Sequence, residues 1–540
     1  MFGDRIGLYT GSLEFVQTDV SVPGNNHLEV AIRRRFQAGW QGYSRFFGEW
    51  DLAIPSVHGV FSSSGWKGLN NDPAKRCSTY GNPPDETVTV PVTNNGVTAN
   101  YSKTFYADQF WHGTFLYLPG AGDEEVVSTS NYGWTTPTNG TTYPLRTKSG
   151  TAIRCITTDD GAGEAFEVTT PDGTVYSFNH MVPRSIVVPL VKTDVMPMGT
   201  DFSGATIYQP VTYVLNRKEY FLFPTSAHDR FGNTLTYTWS STNPGQLVQI
   251  SSSDGRVLNL TWNGGQITQV QQGDKTWTYT YNGSLTKVTL PDQSAWTFVL
   301  GLTPNYTGDG SVPAARGYCG VPGSPTTTTL SGTMTHPSGA VATYTMAPTL
   351  HGRSSSAYYC RMDNAVGQSD PYANSSETFP ARYYMWSLTS KTISGPGIAS
   401  PYKWTYTYGS DNGCYSSGSS PACTSSSPTT KTVDVLDATG VTTHYVYGNQ
   451  YEVNEGYLLS TSKPGQAVTE TYQLSPASGT YPGVAGDSWQ LRGGGHFASR
   501  IIPLLDKSTV QDGVKFTWHV NAFDNWARPT SVTKSSAPSP

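Results

Sequence analysis

Three ten-residue segments near the middle of the chain share one pattern, and this pattern limits the possible folds most strongly. The segments GQLVQISSSD, GQITQVQQGD and GSLTKVTLPD begin at Gly245, Gly265 and Gly283 and end at Asp254, Asp274 and Asp292. Each has an apolar residue at its third and sixth positions. Since about 20 residues accommodate two strands and their turns, the spacing predicts a series of β-hairpins.

The strands between these segments alternate large apolar residues with Thr or Asn. This period of two is typical of half-buried antiparallel strands. The aromatic positions of the pattern are Tyr237, Trp239, Trp262, Tyr279, Tyr281, Trp296 and Tyr445. We interpret them as packing on the inner face of a sheet. The alternative is that they are exposed and stack on sugar rings.

Aspartate and glycine recur at the turns of the pattern. The turn positions are Asp229, Gly232, Asp254, Asp274, Asp292, Asp437 and Gly440. An aspartate side chain accepts hydrogen bonds from backbone amides of its own turn, and glycine adopts positive φ without strain. We therefore assign these residues a structural role. A ladder of calcium ligands and a catalytic role are the alternatives.

Charge and hydropathy exclude several classes of protein. Only 14% of the 540 residues are charged and the net charge is −5, so no basic surface for nucleic acid or anionic lipid is indicated. The chain contains no apolar stretch of about 18 residues, and we predict no insertion into a membrane. The first residues, MFGDRIGLYTGSLEF, lack the form of a signal peptide.

The chain contains six cysteines and no CxxC pair. An even number without zinc-ligand spacing favours disulfides and an oxidising compartment, whereas six buried thiols in a reducing cytosol are the alternative. Cys414 and Cys423 flank a Gly/Ser-rich segment with little apolar content. We predict a disulfide between them.

Pattern and composition divide the chain into five regions. These are an irregular β lead-in region (1–228), a first repeat region (229–300), a Gly/Ser/Pro-rich insertion or irregular β region (301–400), a second repeat region (401–533) and a linker-like tail (534–540). A single continuous repeat array explains this order better than independent domains.

The repeats resemble those of the YD-repeat, or RHS-repeat, family. Its units run from a D-x-x-G turn into an aromatic strand and then G-x-L-x-x-V; DRFGNTLTY from Asp229, DATGVTTHY from Asp437 and the three ten-residue segments are similar. The segments GSLEFVQTDVSVPG from Gly11 and FGEWDLAIP from Phe47 resemble the part that precedes such repeats. Good matches cover about a third of the chain.

The resemblance implies a long sheet that spirals into a hollow shell. In bacterial members the shell commonly encloses a carboxy-terminal toxin, and the proteins are secreted or lie at the cell surface. This chain lacks the D-P-x-G motif at which the family cleaves itself; Asp370-Pro371-Tyr372 comes closest. The implied partners are further repeats or a carboxy-terminal toxin of a longer parent chain.

Catalytic motifs are absent from the sequence: there is no G-x-S-x-G, no H-E-x-x-H and no phosphate-binding loop. No residue is assigned as catalytic or metal-binding, and no cofactor is expected. We predict an all-β fold, a long antiparallel hairpin array forming an unclosed spiral wall with a self-associating carboxy-terminal edge. The predicted function is that of a non-catalytic shell segment; the alternative is an adhesin that binds cell-surface carbohydrate or protein through exposed aromatic rows.

Overall fold

The computed structural model describes residues 1–39, 45–94, 96–129, 140–303, 329–361, 376–377, 380–476, 480–490 and 495–539. Cys319 and Asp370-Pro371-Tyr372 lie outside the described residues. The described part is nearly all β, with two short helices, α1 (Ala107–Phe110) and α2 (Gly495–Ser499). The prediction of an all-β hairpin array is thus confirmed.

The strands are numbered in chain order. The first thirteen are β1 (Asp4–Gly7), β2 (Ser12–Val22), β3 (Val30–Gln37), β4 (Asp51–Leu52), β5 (Ser56–Ser62), β6 (Glu86–Asn94), β7 (Val97–Phe105), β8 (Thr114–Leu118), β9 (Gly122–Glu125), β10 (Val127–Ser128), β11 (Leu145–Arg146), β12 (Ala152–Thr157) and β13 (Glu164–Thr169). The next thirteen are β14 (Val175–Ser185), β15 (Leu190–Thr200), β16 (Thr206–Leu215), β17 (Arg217–His228), β18 (Thr234–Trp239), β19 (Leu247–Ser252), β20 (Val257–Asn263), β21 (Gln266–Gln272), β22 (Lys275–Asn282), β23 (Ser284–Thr289), β24 (Ala295–Gly301), β25 (Leu330–Thr335) and β26 (Val341–Gly352). The last thirteen are β27 (Ser356–Ala357), β28 (Cys360–Arg361), β29 (Ser376–Glu377), β30 (Arg382–Ser394), β31 (Tyr402–Tyr408), β32 (Tyr415–Ser417), β33 (Thr430–Leu436), β34 (Thr442–Gly448), β35 (Leu458–Lys463), β36 (Gln466–Tyr472), β37 (Leu504–Gln511), β38 (Val514–Phe523) and β39 (Pro529–Pro538).

Most of these strands form one antiparallel sheet of 27 strands, which we call the wall. Its pairing follows chain order from β10 to β14, passes to β17, continues through β26, and then runs by β30, β31 and β33 to β39. A branch of β5, β8 and β9 joins β17 beside β18. The wall therefore includes β25, β26 and β30 from the stretch between residues 301 and 400.

The first four strands form a separate sheet, which we call the plug. Alternating residues of β2 and β3 are fully buried, among them Phe15, Ile32 and Phe36. These side chains belong to the same hydrophobic cluster as inward residues of wall strands β17 to β31. The plug thus covers the apolar face that an isolated hairpin array would leave in water.

Turns of the wall are tight because glycine occupies the left-handed backbone region. Gly232 and Gly440 both have φ of +85°, and nothing lies within 4 Å of the position where a Cβ would stand. Backbone strain, rather than a clash, therefore selects glycine at these two turns. In each turn the glycine amide donates to the carbonyl of the aspartate three residues earlier, Asp229 or Asp437.

Two hairpins extend from the wall without pairing to it. They are β6–β7 and β15–β16, and their strands pack on each other. Phe202, in the turn of the second hairpin, is exposed.

The first edge of the wall contacts a segment that precedes its last three strands, without strand pairing. Ser128 of β10 forms an isolated backbone bridge with Asp487, in the segment between β36 and β37. The last strand, β39, pairs with β38 on one side and is exposed along its whole length. Within the described residues, the wall is not closed by strand pairing, as the sequence predicted.

Candidate functional site

The predicted aromatic residues lie on the face of the wall that meets the plug. Tyr237, Tyr279 and Trp296 are at most 9% exposed. Trp239, Trp262, Tyr281 and Tyr445 are half-buried. None of the seven is exposed, so the structure offers no aromatic row at these positions for stacking on sugars.

Plug aromatic residues contact this row directly. Trp262 meets Phe46 edge-on with ring centroids 5.0 Å apart. Tyr279 packs on Phe47 at 4.7 Å. Aromatic pairs at such distances add to the stabilisation that burial of their area provides. The wall repeats and the segment that precedes them therefore form a common core.

One type of hydrogen bond, from the side chain of a Trp or Tyr to a backbone carbonyl, recurs along the wall. We did not predict it from the sequence. The indole of Trp239 donates to Pro224 O at 3.1 Å, and that of Trp262 to Leu247 O at 2.8 Å. The hydroxyl groups of Tyr281 and Tyr472 donate to the carbonyl oxygens of residues 267 and 458. In these four cases the acceptor precedes the donor by 14 or 15 residues. The polar tip of each ring thus ties its strand to the preceding one, and this spacing could have been found in the sequence.

The turn aspartates mostly accept hydrogen bonds from their own turns. Asp229 Oδ1 accepts from the amides of Phe231 and Asn233 at 2.8 and 2.9 Å. Asp437 Oδ1 accepts in the same way from residues 439 and 441, and Asp292 Oδ1 from residue 294. The side-chain hydroxyl of residue 439 also donates to Asp437, and together these bonds hold the pKa of that carboxyl below its usual range.

Asp254 and Asp274 differ although their segments align in sequence. Asp254 Oδ1 accepts from Arg256 Nε at 2.8 Å, and Arg256 Nη1 donates to Val22 O of the plug at 3.1 Å. Asn26 donates to the same carboxylate at 3.3 Å. Asp274 is exposed at a hairpin turn and makes no hydrogen bond to the described part of the chain. Asp254 therefore links the wall to the plug, and Asp274 does not.

Buried polar contacts position the opposite side of the plug. Lys391 Nζ lies 2.6 Å from Asp4 Oδ2, and Tyr344 donates to the other oxygen of that carboxylate. Ser387 Oγ donates to Thr10 O at 2.6 Å. His351 contacts Ser387 on one side and Lys431 on the other, and all three are buried.

The pKa values of this buried histidine and lysine both lie well below their usual ranges. Burial lowers the pKa of His351 to about 3, and the Lys431 ammonium contributes in the same direction. Burial lowers the pKa of Lys431 to about 7. The arrangement anchors the plug turn that contains Thr10 and has no access to solvent.

The three consecutive arginines of β3 divide between two faces of the plug. Arg34 is fully buried and pairs with Asp19, Nε to Oδ2, at 2.6 Å. Arg35 faces the other side and pairs with Glu14 at 2.7 Å and Asp123 of the wall at 2.9 Å. Alternation along a strand accounts for this division. We did not predict these ion pairs from the sequence, although the acidic residues of β2 offered a signal.

His58 of β5 lies between two wall carboxylates beside Arg35. Its Nδ1 is 2.7 Å from Glu219 Oε1, and its Nε2 is 3.2 Å from Asp123 Oδ1. Burial alone would lower the pKa of His58, but the two hydrogen bonds raise it to about 9. The imidazole is therefore charged at neutral pH, and it joins three wall strands at the edge of the plug.

A short segment from residue 487 to residue 490, which we call the strap, docks on the first edge of the wall. Trp489 Nε1 donates to Ser128 Oγ at 2.8 Å, and Ser488 Oγ donates to Glu125 Oε1 at 2.6 Å. Burial raises the pKa of Glu125 to about 7. The strap thus holds the region between β36 and β37 against β9 and β10.

Disulfides fix two loops. Cys414 and Cys423 are joined, as are Cys77 and Cys155, and Cys360 is also disulfide-bonded. These bonds indicate an oxidising environment. Among the described residues, no group of three or more His, Cys, Asp or Glu side chains is placed to hold a metal ion.

Comparisons with known proteins do not assign the chain to a family. No protein-family model matches the sequence, and no curated protein matches it either. In the part of the chain that the structure describes, no helix is both long and apolar enough to cross a membrane.

Proposed function

We propose that this chain is a structural wall segment of an encapsulating shell of the RHS or YD type. The parent protein is secreted or surface-exposed and serves a toxin-delivery or cell-contact system. The observation that carries the proposal is the plug, a folded piece of polypeptide held against the inner face of a long hairpin array. A wall that already encloses one polypeptide segment has the geometry to enclose another.

The inner face continues beyond the plug. Residues that lie directly opposite each other on paired strands point to the same side of a sheet. A series of such pairs leads from Tyr408 through five intermediate residues to Phe516, so these side chains share one face. Tyr408 adjoins the plug, because a Cβ on Gly11 would lie 2.3 Å from its hydroxyl. Phe516 is 49% exposed and Val532 is 41% exposed. An uncovered apolar face on β38 and β39 supports contact with additional polypeptide.

The proposed occupants of this face are further repeats or a carboxy-terminal toxin of a longer parent chain. No observation favours catalysis within the described residues, and the shell segment itself is proposed to be non-catalytic. The alternative function, an adhesin with exposed aromatic rows, is not supported at the seven predicted positions because none of their side chains is exposed.

Protease protection of the natural gene product tests the proposal. The protein is isolated from its source, digested without denaturant, and its fragments are mapped by mass spectrometry. We expect the plug and any segment after residue 540 to resist cleavage until the wall is unfolded. Rapid cleavage of such a segment in the native protein, or a natural product that has no such segment and binds intact cells, would contradict the shell and favour the adhesin.

A further inference from the structure

The hairpins β6–β7 and β15–β16 lie side by side, and their turns lie at the same end. Lys103 Nζ of β7 donates to Asp194 Oδ1 of β15 at 3.1 Å. Closer to both turns, the Tyr101 hydroxyl lies 4.0 Å from Met198 Sδ. Because residue numbers fall towards the turn along β7 and rise towards the turn along β15, both hairpins point in one direction.

Exposed apolar side chains gather at this end. We call residues 96–97 and 200–208 the tip, and every one of them is exposed. Its large apolar side chains are Val97, Phe202, Ile207 and Tyr208, and Phe202 at the apex is fully exposed. Apolar groups that project together into water mark interaction sites on soluble proteins. None of the four belongs to a hydrophobic cluster of the fold, so packing does not explain them.

The tip is almost free of charge. Residues 87–102 contain no charged residue, and residues 195–216 contain one, Asp201. Lys103 and Asp194 are buried and compensate each other. Apart from Asp201, removing water from the tip therefore requires no charge to be desolvated.

Asp201 and the backbone of the apex are bonded within the turn. Asp201 Oδ1 accepts from the Ser203 amide at 2.8 Å, the Ser203 hydroxyl at 2.6 Å and the Ala205 amide at 2.9 Å. The amides of Asp201 and Gly204 donate to carbonyl oxygens of the same turn. Polar groups that enter a medium with little water must be satisfied in this way. The apex therefore presents Phe202 with most of the polar groups around it already bonded.

The order of side chains along β16 matches the depth profile of a membrane interface. Thr200 and Thr206 form the last cross-strand pair before the apex, and Tyr208 lies two residues farther from it. At ~3.3 Å per residue, this separation is about 7 Å. An interfacial element reaches about 5–10 Å into the boundary between headgroups and acyl chains. Phe202 would thus reach the acyl chains while the Tyr208 hydroxyl stays among the headgroups, where tyrosine is enriched.

A second copy of the chain fits the tip less well. Four side chains of about 150 Å² or less each provide less area than the ~800 Å² that each partner buries in a stable protein interface. Insertion into a bilayer requires no matching surface, since the gain grows with each apolar group that is buried.

We propose that the tip docks this protein on the surface of a zwitterionic lipid bilayer. Phe202, Val97 and Ile207 enter the boundary between headgroups and acyl chains, and Tyr208 remains at headgroup level. Because the tip contains no basic residue, anionic lipid is not required and salt should have little effect. The contact is peripheral, since only the tip enters the lipid. It does not depend on the shell function.

Flotation of the full chain with phosphatidylcholine vesicles at low and high salt tests the proposal. We expect the protein to float with the vesicles to the same extent in both buffers. Phe202→Ser should weaken partitioning by about tenfold or more, because burial of a Phe side chain supplies at least that factor. Val97→Asp, on the other hairpin, should also weaken it. Both side chains are exposed, so these variants should fold normally.

Phe231→Ser is the matched control. Phe231 is 71% exposed, and its turn in the wall also begins with an aspartate, Asp229, that accepts hydrogen bonds from its own turn. This variant should leave vesicle binding unchanged. Sedimentation velocity without lipid tests the second-copy alternative, and a dimer that Phe202→Ser abolishes would overturn the proposal. So would an absence of wild-type binding, equal binding by the wild type and Phe202→Ser, or binding that requires anionic lipid.

Discussion

Arg34 and Asp19 form a buried ion pair between the two central strands of the plug, and a wall residue completes it. Arg34 Nε lies 2.6 Å from Asp19 Oδ2, and Tyr279 donates to the same oxygen at 2.9 Å. The guanidinium also stacks over Trp50 and Phe298, with centroids 4.7 and 5.0 Å away. Plug and wall therefore share one polar network inside the apolar core, and neither surface is complete alone.

Removing one member of this pair should be much more harmful than replacing both. Asp19→Leu leaves the Arg34 charge buried, and we expect a loss of about 3–5 kcal/mol in the free energy of unfolding. Asp19→Leu combined with Arg34→Met should recover most of that loss. Chemical denaturation of the three proteins measures the difference. Equal destabilisation by the single and double variants would show that the pair is not buried as described.

The two aligned aspartates should respond differently to substitution. Asp254→Ala removes the contacts to Arg256 and Asn26 that bind the plug, so we expect the melting temperature to fall by about 1–2 °C. Asp274→Ala is the matched control and should leave the melting temperature unchanged within error. Differential scanning calorimetry compares them. An equal decrease for both would mean that the aspartates act only through their turns.

His58 should make stability depend on alkaline pH. Its pKa is raised to about 9, so its ionic contacts stabilise the fold fully below pH 6.5, and this contribution is lost as the pH rises through 9. The groups that face the ring are Glu219, Asp123, Phe115 and Phe221. From this shift the contribution is on the order of 3 kcal/mol at most.

The measurement compares the wild type with His58→Gln between pH 6 and pH 10. The difference in unfolding free energy should be largest at pH 6 and should shrink towards pH 10. Taking the difference cancels the titration of other groups, such as Glu125 and Lys431. A difference that does not change with pH would exclude a charged His58.

The Cys414–Cys423 and Cys77–Cys155 disulfides should contribute unequally to the free energy of unfolding. Cys414 and Cys423 are 9 residues apart, whereas Cys77 and Cys155 are 78 apart. On the chain-entropy model, their removal costs about 2.7 and about 4.5 kcal/mol. We expect Cys77→Ser/Cys155→Ser to unfold at lower denaturant concentration than Cys414→Ser/Cys423→Ser. The reverse order would show that local structure, rather than loop length, sets the effect.

The wall was predictable because each of its hairpins is encoded locally. Period-two alternation and the Asp and Gly residues of the turns are enough to place strands such as β18 and β22. The loop between Cys414 and Cys423 was equally predictable, since little else could fix a segment so poor in apolar residues. These features depend on neighbours within about 20 residues.

The plug was not predictable in the same way, because it depends on contacts between distant residues. Asp19 and Tyr279 are 260 positions apart, and Glu14 is connected to Asp123 of the wall through Arg35. The segment from Gly11 to Gly24, which contains β2, resembled the part that precedes the repeats, but the sequence contained no signal for which surface it covers. The difference between Asp254 and Asp274 was likewise hidden, since it arises from the position of the plug.

Hydrogen–deuterium exchange of the intact chain tests the central claim most directly, namely that the plug lies inside the wall. If it does, amides of β2 and β3 should exchange as slowly as those of β20 and β22, because all four strands share one core. Amides of the exposed edge strand β39 should exchange much faster. Exchange of β2 and β3 at the rate of β39, with β20 and β22 still protected, would contradict the account.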